Sequence, residues 1–146
     1  MKVIVVDLEG VLSNNTHRAQ HAVQKDYGMY DVLFPLDPCN AGIKSLAASF
    51  RMNGTSLVIS TGKKGDRAGR EAVKKWLEVH GIQYFMLLMR QPSDDRPSPD
   101  VKADHLADIM REGCEVVLAI DDRMKNVAMY KARGIPALLY ANGTDY

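Results

Sequence analysis

Residues 1–13, MKVIVVDLEGVLS, set a short apolar run, Val3 to Val6, directly before Asp7-Leu8-Glu9-Gly10. The run is strand-length and has no polar residue at alternate positions, so it reads as a strand covered on both faces, as in a parallel sheet. Similar runs recur at Ser56 to Ser60, Tyr84 to Met89, Val116 to Ile120 and Ala137 to Tyr140. Segments with helical spacing lie between them. One opens at Asp37-Pro38, an N-cap and first-turn pair, carries Ile43, Leu46, Ala47 and Phe50 inward, and stops at Asn53-Gly54. A second runs from about Arg67 to His80, with Ala72, Val73, Trp76 and Leu77 on one stripe. A third, about Asp100 to Arg111, turns Val101, Leu106, Ile109 and Met110 inward, and a fourth covers about Met124 to Arg133 before Gly134. This alternation predicts an α/β fold: a three-layer, Rossmann-like parallel sheet of about five strands with helices on both faces, joined by right-handed crossovers.

The 146 residues fit one domain, residues 1–146, with no repeat and no linker dividing it. A net charge of +1 gives no whole-molecule argument for nucleic acid or membrane, so any preference for a polyanion must come from one face. Cys39 and Cys114 lack the paired spacing of a zinc site or disulfide framework. The N-terminal apolar run is too short for a signal peptide or a spanning helix, and a cytoplasmic protein without membrane association is expected. Oligomeric state stays open.

Ligands of such sheets bind beyond the carboxyl ends of the strands, where strand order switches. Three runs finish there in polar residues: Asp7-Leu8-Glu9-Gly10, Ser60-Thr61-Gly62-Lys63 and Asp121-Asp122-Arg123. Parallel strands would bring the carboxylates of Asp7, Glu9, Asp121 and Asp122 to one rim. They cannot all stay ionised side by side without a cation, and an all-oxygen donor set of this kind favours Mg²⁺. A phosphoryl group would also need a lysine; Lys102 at the start of the third helix is the first candidate and Lys63 the second.

These motifs, in this order, resemble those of the haloacid dehalogenase superfamily: DLEGVLS resembles motif I, LVISTGK motif II, Lys102 motif III and VVLAIDDRMKNV motif IV. A closer resemblance, through KKWLEVHGI, MRQPSDDRPSPDVK, LAIDDRMKNVAMYKARGI and the tail NGTDY, is to the 3'-phosphatase domain of phage polynucleotide kinase-phosphatases. No kinase P-loop pattern GxxxxGK[ST] is present, so the resemblance implies the phosphatase part standing alone. It implies a Mg²⁺-dependent phosphomonoesterase, a polynucleotide or nucleotide 3'-phosphatase, with Asp7 as nucleophile and Glu9 as general acid/base. Thr61, or Ser60 as the alternative, would hold a phosphate oxygen, within a loop that includes Gly62 and Lys63. Lys102 would steady the phosphate and Asp7. Asp122 would bind the metal directly, Asp121 would orient its water shell, and the Glu9 carbonyl would complete the protein ligands.

Glu9 stands where the superfamily's second Asp is usual. It keeps open a catalytically weak phosphate-binding module, beside a small-metabolite phosphatase or nucleotidase. The gaps between motifs are too short for a full cap domain, which suits a phosphorylated nucleic acid end as substrate. Arg90 and Arg96 flank a polar loop near the rim and are candidate substrate contacts, with plain loop charge as the alternative. Arg67, Arg70, Lys74 and Lys75 read as a solvated helix face, with a phosphate-tracking patch as the alternative, and Met86, Met89, Met124 and Met129 read as core filler. Trp76 reads as core, Tyr27, Tyr30 and Phe34 as packing under the first insertion, with stacking on a base as the alternative, and the four histidines lack metal-ligand spacing.

Overall fold

The computed structural model describes residues 1–141; the tail, residues 142–146, and its part in the resemblance lie outside the described residues. Five strands, β1 (Lys2–Val6), β2 (Thr55–Lys64), β3 (Met86–Arg90), β4 (Glu115–Asp121) and β5 (Ala137–Leu139), form one sheet. All four strand pairings are parallel, in the order β3-β2-β1-β4-β5. The chain winds outward from β1 in one direction through β2 and β3, then returns to the other side of β1 for β4 and β5. The switch point therefore falls between β1 and β4, where Val6 is in register with Ile120 and the Asp7 amide donates to the Ile120 carbonyl at 3.0 Å.

Alternate strand residues feed two cores, as the period of two requires. Ile4, Val6, Leu57 and Ile59 pack with Ile43, Val73, Trp76 and Leu77 from α3 (Ala41–Met52) and α4 (Arg67–Val79). Val3, Val5, Val58 and Ala119 pack on the other face with Leu106, Ile109, Val127 and Tyr130, from α5 (Ser98–Arg111) and α6 (Met124–Ala132). The three layers are those expected. Leu46, Met110 and Met124, expected inward, are instead exposed. They sit at the margins of apolar stripes that are already filled by their neighbours.

Between β1 and α3 the chain makes two short helices, α1 (Ala19–Val23) and α2 (Tyr27–Val32), with a single 3-10 turn before and after them. Phe34 anchors this insertion by full burial in the core, tilted against Trp76 of α4 at a ring separation of 5.8 Å. It is not a full cap. Helix α3 opens at Ala41 rather than at Asp37-Pro38, because the Asp37 carboxylate is committed elsewhere, as described below. No described helix is long and apolar enough to cross a membrane.

Candidate active site

The carboxyl ends of β1 and β4 lie side by side, so Asp7, Asp121 and Asp122 each bring a carboxylate oxygen within 4.8 Å of the others. Lys102, one turn into α5 and almost fully buried, reaches this group from the helical layer: Nζ lies 2.8 Å from Asp7 Oδ1 and also pairs with Asp121 Oδ2. The other oxygen of Asp121 accepts from the Arg123 amide at 3.0 Å and from Asn126 Nδ2 at 3.1 Å. Asp121 is thus filled by protein donors, whereas Asp122 stays half-buried at the cavity wall.

Burial pushes the Asp7 carboxyl well above the usual carboxylate range; Lys102 opposes the shift, and Asp121 and Asp122 add to it. Asp122 is raised by burial and by Asp121 in the same way. For Lys102 burial works against the ammonium, but Asp7 and Asp121 outweigh it and its pKa rises. Three carboxylates against one ammonium leave two negative charges in excess when all are ionised. That excess, presented by hard oxygen donors, fits a divalent cation such as Mg²⁺.

Strand β2 extends further than the apolar run predicts, through Gly62 to Lys64, with a shift of register against β3 beyond Thr61. Alternation then separates the two hydroxyls. Thr61 and Lys63 face the cavity on the insertion side, where Lys63 Nζ lies 5.0 Å from the Phe34 ring centre. Ser60 points to the opposite layer, its Oγ 2.8 Å from His105 Nδ1, and is not in the cavity wall. The expectation that Ser60 contacts phosphate is corrected accordingly, while Gly62 borders the cavity with its backbone.

Glu9 follows Asp7 by two residues and faces the insertion. Its Oε2 is 2.7 Å from Arg18 Nη2 and 4.0 Å from Lys63 Nζ, without the angles of a hydrogen bond to either. Arg18 is fully buried and held by a bidentate pair with Asp37, Nε to Oδ1 at 2.7 Å and Nη2 to Oδ2 at 2.6 Å. Its Nη1 donates to the Tyr30 carbonyl at 3.1 Å, and its Cζ lies 4.0 Å from the Tyr30 ring centre. Burial opposes the Arg18 charge, but Asp37 and Glu9 raise its pKa on balance. Asp37 in turn accepts from Ser13 Oγ at 2.9 Å, and its carbonyl accepts from Trp76 Nε1 at 2.9 Å. Arg18 and Asp37 therefore fix where the Glu9 carboxylate sits: Oε2 is turned to Arg18, and the residue lines the cavity.

The two arginines of the polar loop border the same cavity but are engaged. Arg90 donates from Nε to the Gly62 carbonyl at 2.7 Å and from Nη1 to the carbonyls of Asp94 and Arg96 at 3.0 and 2.6 Å, clamping the loop to β2. Arg96 pairs with Asp94 at 2.8 Å and with Asp104 at 2.5 Å, and its hydrogen bonds to Asp94 hold that carboxyl well below the usual range. The open cavity, about 660 Å³, has Asp7, Thr61, Lys102 and Asp122 at its base, Arg90, Arg96 and Arg123 on one wall, and Tyr27, Gly28 and Asp31 of the insertion on the other. Asp7, Glu9, Thr61, Gly62, Lys63, Lys102 and Asp122 thus come together there. Arg18 and Asp37 were not singled out as functional; their pairing spans the whole insertion and has no local signature.

The parallel sheet and the aspartates at its rim belong to the haloacid dehalogenase-like class. Within it, residues 1–145 match the family model described as "Polynucleotide kinase PNKP phosphatase domain", and the chain belongs to that family of phosphatase domains. A solved structure of the Pnkp1/Rnl/Hen1 RNA repair complex and another of a Pnkp1/Rnl/Hen1 complex are similar at 22% identity, with TM-scores of 0.75 and 0.78 over 95% of this chain. The chain spans only 42% and 45% of the matched chains there. D,D-heptose 1.7-bisphosphate phosphatase from B. bronchiseptica, complexed with magnesium and phosphate, is similar at 17% identity and a TM-score of 0.63, over 95% of this chain and 80% of that one.

Proposed function

We propose that this phosphatase domain is a Mg²⁺-dependent 3'-phosphatase of nucleic acid or nucleotide ends that works through an aspartyl-phosphate on Asp7. The observation that carries the reading is the convergence of Asp7, Lys102 and Asp122 at the base of an open cavity that Glu9, paired with Arg18, also lines. A bound Mg²⁺, held by Asp7, Asp122 and the Glu9 carbonyl with Asp121 behind them, would offset the charge of the phosphoryl group and its carboxylate nucleophile.

In the first half-reaction an Asp7 oxygen attacks phosphorus as the bond to the leaving oxygen breaks, and protonated Glu9 gives its proton to that oxygen. Lys102 holds the other Asp7 oxygen and so aims the attacking one. Thr61 Oγ and Lys63 Nζ supply donors to the phosphoryl oxygens. In the second half-reaction Glu9 takes a proton from water, the water oxygen attacks phosphorus, and the bond to Asp7 breaks to release inorganic phosphate. Arg18 keeps the Glu9 carboxylate within reach in both steps.

Family membership and the open rim support a polynucleotide end. So does Lys64, whose pair with Asp95 at 3.1 Å is exposed and therefore contributes little, leaving it ready to yield to a phosphate. The test is a panel of 3'-phosphorylated oligonucleotides, 3'-mononucleotides, sugar phosphates and an aryl phosphate, each with Mg²⁺ or EDTA. Mg²⁺-dependent turnover with the highest kcat/KM on the oligonucleotides is expected. Equal constants for oligonucleotide and mononucleotide at every salt concentration would discard the polynucleotide end, and turnover persisting in EDTA would discard the metal.

A further inference from the structure

Helix α2 presents two faces. Tyr30 turns inward against Arg18 and is 8% exposed, whereas Tyr27 and Asp31, one turn apart, border the cavity. Asp31 Oδ1 lies 2.7 Å from Lys63 Nζ, so this face is tied to the phosphate end of the site. Tyr27 is 57% exposed, and among the described residues its hydroxyl makes no hydrogen bond. An aromatic ring is thus left uncovered at the mouth of a cavity whose base is wholly polar. Beside it, Gly28 has no backbone reason to be glycine: its φ is not positive, and a Cβ there would meet only Asp26 Oδ1 at 3.8 Å. Glycine is a poor helix former, and here its effect is to leave the space next to the Tyr27 ring open.

We propose that Tyr27, with the opening at Gly28, stacks the base of the nucleotide that carries the scissile phosphate. The inference rests on the phosphatase reading for where the phosphate sits. A ligand with a dianion at one end and a flat, polarisable face at the other matches a polar base and an uncovered ring. Stacking accepts any base, so Tyr27 would distinguish a nucleotide end from a sugar phosphate without selecting sequence.

The test is equilibrium binding to the Asp7→Asn protein with Mg²⁺, which needs no turnover. Fluorescence anisotropy is read on 5'-labelled oligonucleotides that end in a 3'-phosphate on either an intact or an abasic terminal residue. The intact end should bind about 10-fold tighter. Tyr27→Phe should keep that ratio, Tyr27→Ala should bring it near one, and Gly28→Leu should lower it by filling the space. An unchanged ratio in Tyr27→Ala, or no preference in the parent, overturns the proposal. Aryl phosphate turnover by the wild-type protein is measured alongside. If it is absent while the Tyr27-dependent ratio persists, the phosphatase reading fails and base stacking stands.

Discussion

The base of the cavity and the wall that overhangs it treat buried charge in opposite ways. At the base, three carboxylates face one lysine and the sum does not close. In the wall, Arg18 and Asp37 are both fully out of water, yet each is matched by the other through two hydrogen bonds, with Ser13 and the Tyr30 carbonyl taking up further donors and acceptors. Charge imbalance marks the part of the molecule that waits for a cation and a phosphate. Charge balance marks the part that holds Glu9 in place for them. Glu9 stands at the seam, close to Arg18 but without a hydrogen bond of its own.

The contrast breaks first at Asp7. Asp7→Asn should lower kcat by about 10⁴-fold or more, since the amide keeps the shape but not the nucleophile. Stability should move the other way. Burial raises the Asp7 pKa, so the folded state favours the protonated form; its contribution is full at pH below about 3.8 and is lost as pH rises through the folded-state value. At neutral pH in EDTA the variant should therefore unfold at the same temperature as the parent or a higher one, read by calorimetry. A clear loss of stability would mean that the base is balanced after all.

Glu9→Gln should lower kcat by about 10²–10⁴-fold, the usual worth of acid/base help, and Glu9→Asp should keep measurable activity. Wild-type kinetics for Glu9→Gln on every substrate would remove Glu9 from the proton transfers. In the wall the effect should be on stability as well. Arg18→Met leaves Asp37 buried without its main partner and should cost about 3–5 kcal/mol in urea unfolding. A cost under about 1 kcal/mol would show the pair to be far better solvated than its burial implies. Lys64→Ala should reduce the salt slope of oligonucleotide binding by about 0.7–0.9, one phosphate contact's worth.

The smallest effect concerns His105, which lies behind the base between Ser60 and the Met89 carbonyl. Burial lowers its pKa below the ordinary 6.5, so its contribution to stability is full above that value and is lost as pH falls through it. In excess Mg²⁺ the parent should lose stability as pH falls below about 6.5, and His105→Gln should lose less of it. Equal slopes would assign the change to other groups.

Much of the base was legible because each part is a local pattern. Val3 to Val6 ending in Asp7 and Val116 to Ile120 ending in Asp121-Asp122 announce buried strands with polar ends, and parallel pairing brings them together. The wall was not legible in the same way. Asp37-Pro38 carries the local signature of a helix start, but the carboxylate is drawn to Arg18, 19 residues earlier, and α3 begins at Ala41. Ser60 and Thr61 could not be ranked from the chain alone, because adjacent strand residues take opposite faces and the faces are assigned only once α5 and the insertion are in place. The engagement of Arg90 and Arg96 was hidden because their partners are mainly backbone carbonyls and nearby acids, which no charge pattern distinguishes from open neighbours.

The most direct measurement is acid quenching of the Glu9→Gln protein after brief mixing with Mg²⁺ and a 3'-phosphorylated oligonucleotide, followed by peptide mass mapping. With water activation slowed, the phosphoryl group should be found on the peptide that carries Asp7, and no such adduct should form with Asp7→Asn. Slow release of inorganic phosphate with no adduct at any quench time, or an adduct on another residue, would contradict covalent catalysis at Asp7.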